Sequence, residues 1–141
     1  MTDIRLAIGL VALMSGLMVI SNILAIVFGF RLKRLLRDVP CIESYDDLYD
    51  LKAEVRVQMH GALLGIALIG LTLLTAIAGT ILYGRQFFLV AILVCSLYGV
   101  TAVWLTKLEK KVRAIPVTND EFQKERDHIA HVWVKKAFPD W

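Results

Sequence analysis

Three histidines and a stripe of carboxylates are the side chains of this sequence best suited to chemistry. His128-x-x-His131 sets two imidazoles about one helical turn apart, and Asp127 or Cys41 could complete a tetrahedral metal site. That spacing is common by chance, and polar residues on an interfacial helix are the commoner role for such a pair. His60 stands where an apolar run begins, near the place where a b-type haem would take an axial imidazole. No second apolar run supplies an opposing histidine, so a haem held by this chain alone is not expected, and one shared with another subunit is left open. No metal or cofactor is assigned.

Glu43, Asp47, Asp50 and Glu54 recur at 4-3-4 spacing, which places four carboxylates on one helix face. Arg31, Arg34 and Arg37 precede them, and an antiparallel hairpin would bring the two rows together. Exposed pairs of this kind contribute only about 0–1 kcal/mol each. A basic cytoplasmic partner or a cation is the alternative use of the stripe. The sequence holds no Gly-rich phosphate loop, Ser/His/Asp constellation, intramembrane carboxylate pair or Cys-x-x-Cys. It therefore reads as non-enzymatic. Cys41 is close enough to an apolar run to accept a lipid, though a tolerated thiol is the commoner case.

These residues must be positioned by three apolar stretches, Leu6–Phe30, Met59–Tyr83 and Phe87–Leu105, none of which contains Asp, Glu, Lys or Arg. Each is close to the roughly 20 residues that cross a hydrocarbon core. The chain is 57% hydrophobic, against about 45–50% in soluble domains, and three spanning helices supply the excess. What is left, a loop at 31–58 and a tail at 106–141, is too short for a sizeable soluble core. The expected fold is one all-α integral membrane domain with three transmembrane helices. The first run is too long for a cleavable signal core.

Arg5 and Arg85 are the only basic residues in the N-terminal tip and in the turn between the second and third runs; the other fourteen lie in the loop and tail. The positive-inside rule then puts the N-terminus outside and the loop and tail in the cytoplasm, most simply at a bacterial inner membrane. The net charge of +3 reflects that topology, and nucleic acid is not an expected partner. Cys41 in the loop and Cys95 in mid-membrane cannot meet to form a disulfide.

Helical spacing continues past the first span through Leu32, Leu35 and Leu36 until Pro40. Ser44 and Asp47 make a capping box, and Leu48, Leu51, Val55 and Met59 form a stripe running into the second span. Residues 45–83 thus predict one helix of roughly 58 Å. Tyr83-Gly84-Arg85-Gln86 predicts a tight turn, and the third helix overshoots through Leu108, Val112 and Ile115 to Pro116. Thr118 with Glu121 predicts a second capping box. It would open an amphipathic helix over about Asn119–Ala137, with Phe122, Ile129, Val132 and Trp133 on one side. That helix suits either the headgroup layer or the cytoplasmic hairpin.

Small residues line one face of the second span (Gly61, Gly65, Thr72, Ala76, Gly79) and of the third (Ala91, Cys95, Gly99, Ala102). In lipid, close backbone approach at such residues is a main source of helix packing. The faces serve either this chain's own bundle or the helices of another copy or subunit. Asn22 is the most polar residue within a span, and its amide needs a partner, with Thr75 and Ser96 as candidates, or a lumen. No span holds an ionisable residue except His60 at an edge, which argues against a proton relay.

In outline, three spans with an outside N-terminus and a charged cytoplasmic tail resemble three-span phage holins. They also resemble the small three-helix subunit of respiratory complex I, whose acidic second helix has no counterpart here. Neither resemblance assigns a residue. The expected function is an accessory or structural subunit, or assembly factor, of a larger membrane complex. The small faces would meet membrane partners, and Glu43, Asp47, Asp50, Glu54 and Trp133 would meet a cytoplasmic one. The alternative is a self-oligomerising channel or holin-like pore former.

Overall fold

Local sequence sets where α1 stops and where α2 and α4 start. The computed structural model describes residues 2–141, and it is all-helical: α1 Thr2–Asp38, α2 Tyr45–Tyr83, α3 Arg85–Arg113 and α4 Asp120–Lys135. Helix α1 stops just before Pro40, as a proline requires of the residues ahead of it. Helix α2 opens on the expected capping box. The Asp47 amide donates to Ser44 Oγ at 3.3 Å, and Asp47 Oδ2 accepts from the Ser44 and Glu43 amides at 2.9 and 3.0 Å. Between α2 and α3 only Gly84 intervenes, at φ +73°, a left-handed conformation that glycine adopts without a Cβ penalty.

The second capping box departs from expectation. Asn119, not Thr118, caps α4: its Oδ1 accepts from the Phe122 amide at 2.8 Å, from an extended backbone at φ −145°, ψ 165°. Thr118 is occupied elsewhere, since its amide and its hydroxyl both donate to the Ile42 carbonyl at 3.2 Å. Glu121 does not reach back to the cap; its carboxylate accepts from the Tyr45 hydroxyl at 2.6 Å. Helix α3 ends slightly short of Ile115, in tight turns from Ala114 to Lys111 and from Ile115 to Val112.

Helices α1, α2 and α3 each contribute to two compact units. The first unit takes residues up to Ala25 together with Leu64–Val103. Its interior is narrow, built from Met14, Leu17, Met18, Ala25, Phe87 and Ala91, while side chains such as Ile81 and Val100 are more than three-quarters exposed. The three buried hydroxyls among its described residues bond to their own helices: Ser21 to the Leu17 carbonyl at 3.0 Å, Thr72 to Leu68 and Thr75 to Leu71 at 2.9 Å. Polar groups are thus satisfied without water while apolar ones face outward, the arrangement lipid demands. All three helices are long and apolar enough to cross a membrane.

The second unit comprises Ile26–Leu63 and Trp104–Trp141. It has an ordinary closed core, to which α1 gives Leu32 and Leu35, α2 gives Leu48, Leu51 and Val55, α3 gives Leu108 and Val112, and α4 gives Phe122, Ile129 and Val132. The two loops that flank it are stitched together. Ile42 pairs with Val117 in a parallel bridge, its amide donating to the Pro116 carbonyl at 2.9 Å. Ile42 is itself fully buried. Burying each such side chain contributes about 1.5–3 kcal/mol, so this core holds α4 on the other three helices.

Candidate functional site

The carboxylate stripe divides among three uses. Glu54 pairs with Arg31 across α1 and α2, accepting from Nη2 at 2.9 Å and from Nε at 3.1 and 3.2 Å. It also accepts from Gln58 Nε2 at 2.8 Å, and Gln58 in turn donates to the Phe28 carbonyl at 3.1 Å. Gln58 is only 4% exposed, so the network runs from a solvated guanidinium to a buried amide. Asp47 is consumed by its cap, and the amides of Glu43 and Ser44 with the Ser44 hydroxyl hold its carboxyl below the usual range. Glu43 and Asp50 are exposed and their carboxylates have no partner among the described residues.

Of the three arginines, only Arg31 crosses the hairpin. Arg34 and Arg37 both turn to Asp38 on their own helix, at 3.3 and 3.1 Å, and Arg37 above all lowers that carboxyl's pKa. Arg31, Arg34, Asp38, Asp50 and Glu54 line one open groove of about 390 Å³. A second groove, of about 330 Å³, lies between α2 and α4. There Tyr45 meets Glu121, which raises the phenol's pKa, and packs edge-on against Phe122 at 5.1 Å, while Lys52 pairs with Glu125 at 3.2 Å.

The histidines are dispersed. His60 bonds through Nδ1 to the Arg56 carbonyl at 2.7 Å and lies edge-on to Phe138, whereas His128 and His131 are exposed on α4. Among the described residues no three His, Cys, Asp or Glu side chains come together as a metal-holding group. Cys41 and Cys95 are free thiols, both half-buried, one in each unit.

The small residues do not behave alike. A Cβ at Gly61 would run into the Phe28 ring, and one at Gly79 into the Phe87 ring. Gly65 and Gly99 face nothing within 4 Å. Thr72 and Ala91 are buried; Ala76, Cys95 and Ala102 are half-buried. Asn22 does bond between helices, but to neither expected partner. Its Nδ2 donates to the Met18 carbonyl at 2.8 Å and its Oδ1 accepts from Thr101 Oγ1 at 2.7 Å. Thr75 and Ser96 are engaged with carbonyls of their own helices.

Trp133 lies half-buried against the core of the second unit, as does Trp141, whose carbonyl accepts from Arg56 Nη2 at 2.8 Å. Sequence reading missed Gln58, Thr101 and Trp104. Trp104 fills the space left by Gly29 and meets Phe30 edge-on at 5.9 Å. The i, i+4 spacing of Glu54 and Gln58 was the one available signal for the buried amide. Comparison with protein-family models, with curated proteins and with solved structures returns no match to the chain.

Proposed function

We propose that this chain is a non-enzymatic accessory subunit or assembly factor of a larger membrane complex, held in the bilayer by α1, α2 and α3. The observation that carries this reading is the uneven use of the apolar helices. In the most apolar stretch of α3 only 6% is buried within the chain, against 22% for α1 and for α2. Helix α3 thus offers a nearly uncovered face bearing the open Gly99 notch, to which a partner helix gains access by close backbone approach. The second unit, with its own core and polar grooves, is the part suited to a water-soluble component, on the cytoplasmic side by the charge bias. Glu43 and Asp50 would be its free contacts.

Purification of the tagged chain in a mild detergent, with cross-linking and mass spectrometry, tests the proposal. A larger particle is expected, with cross-links from α3 to a different protein. A monodisperse particle containing only this chain would overturn it. The alternative, a self-assembling pore, needs polar side chains turned to a lumen, and the amide of Asn22, the most polar one in the spans, is engaged on both sides.

A further inference from the structure

The outer face between the end of α3 and the end of α4 is an open groove of about 490 Å³, and it is basic. Lys110 and Arg113 line it from α3, and His131, Val134 and Lys135 from α4. Asp127 also lines it, but Arg126 holds that carboxylate at 2.6 Å. Arg113 Nε donates to the Glu109 carbonyl one turn back at 3.4 Å. Lys110 and Lys135 are exposed and have no carboxylate partner among the described residues.

The level of this groove along the helices can be read from contacts within the same unit. The chain after α4 returns to the start of the second apolar run, where Phe138 lies against His60 and the Trp141 carbonyl against Arg56. Phe138, three residues past Lys135, thus lies at the level where α2 becomes apolar, and Lys135 lines the same groove as Lys110. Lys110 lies five residues past Leu105, the end of the third apolar run, or about 7–8 Å along the helix. The headgroup layer is about 5–7 Å thick on each side of a hydrocarbon core of about 30 Å. Both ammonium groups thus fall within its reach, since lysine stems extend along apolar surface to place their charge. Val134, which lines the groove with them, is more than half exposed, as a side chain entering the acyl boundary would be.

We propose that the groove between Lys110 and Lys135 seats the phosphodiester headgroup of an anionic phospholipid, with Val134 at the adjoining acyl chains. The charge is complementary, the depth matches, and the exposed Val134 suits an acyl boundary and not bulk water. The proposal needs only that the helices span a bilayer, and it is independent of any protein partner.

Native mass spectrometry of the full chain, delipidated in detergent and titrated with phosphatidylglycerol or phosphatidylcholine, tests it. The wild type is expected to retain one phosphatidylglycerol with a preference of about tenfold or more, as two unpaired cations at the surface imply. The Lys110→Gln, Lys135→Gln double variant should lose that preference, and Lys124→Gln, on α4 but outside the groove, should keep it. Both lysines are exposed, so the fold is expected to survive, with helical circular dichroism as the check. Lys135→Gln alone, expected to weaken the preference, serves if the double variant is unstable. Equal retention of the two lipids, or an undiminished preference in the variants, overturns the proposal. Displacement of the lipid by millimolar inorganic phosphate also overturns it, in favour of a soluble anion.

Discussion

Thr101 donates its hydroxyl to Oδ1 of Asn22 at 2.7 Å, a side-chain hydrogen bond joining α3 to α1 within the apolar unit. The same hydroxyl lies 2.9 Å from the Tyr98 carbonyl. One proton cannot serve both acceptors at full strength, so the link to Asn22 is shared. Asn22 in turn donates one Nδ2 proton to the Met18 carbonyl, and its oxygen is the acceptor toward Thr101. A double-mutant cycle of Asn22→Ala and Thr101→Val should give a coupling of about 0.6 kcal/mol, below the roughly 1.7 kcal/mol upper values for such bonds in membranes. Steric-trap unfolding in bicelles measures it. A coupling of zero would mean that Thr101 keeps its proton on Tyr98.

Gly61 and Gly65 have the same standing in the sequence and different surroundings in the fold. Gly61→Ala pushes against the Phe28 ring, and overpacking of this kind costs about 1–3 kcal/mol unless the ring swings aside. Gly65→Ala meets open space and should stabilise the helix by about 0.4–1 kcal/mol through the unfolded chain's lost freedom. Phe28→Leu should rescue the first substitution and leave the second unchanged. Unfolding of the three single variants and the two double variants beside wild type decides it, and equal effects of the two glycine changes would contradict the packing.

That contrast marks how far the sequence was legible. Helix number, type and ends follow from apolar run length, Pro40, Pro116 and the Ser44 box, because these act over one or two turns. Which small residue receives which ring depends on the rotation of each helix about its axis, set by tertiary contacts such as Phe28 on Gly61 and Trp104 on Gly29. Asn22 was legible as a residue needing a partner, while Thr101 as that partner was not, since 79 residues separate them. The arginine row misled for a related reason. Asp38 lies one turn from Arg34 and next to Arg37, and a local carboxylate is reached at smaller entropic cost than one across the hairpin.

Asp47 ties α2's start to pH. Its folded pKa is depressed, chiefly by the Glu43 amide and then by Ser44. A depressed carboxyl contributes stability that is present above its unfolded pKa, about 3.9, and is lost as pH falls through the folded value. The difference in melting temperature between wild type and Asp47→Ala should therefore hold steady at neutral pH and shrink in the acid range. The site is solvated, so the difference will be modest at any pH. Thermal melts of both proteins in the same detergent at pH 7, 5 and 3 measure it. A gap that widened toward pH 3 would contradict the cap.

The start of α4 separates two residues that are neighbours in sequence and differ in task. Asn119→Ala removes the acceptor for the Phe122 amide, and loss of an N-cap costs about 0.5–2 kcal/mol. Thr118→Val removes only a hydroxyl bond to the Ile42 carbonyl, which keeps the Thr118 amide as a donor at the same 3.2 Å. A carbonyl that retains one good donor is not left unsatisfied, so this change should cost less than the loss of the cap. The Phe122 amide gives a local readout that does not depend on global unfolding. Its hydrogen exchange should quicken in Asn119→Ala and stay near wild type in Thr118→Val. The reverse order would restore Thr118 as the cap and would leave the backbone bridge between Ile42 and Val117 as the link that joins the two loops.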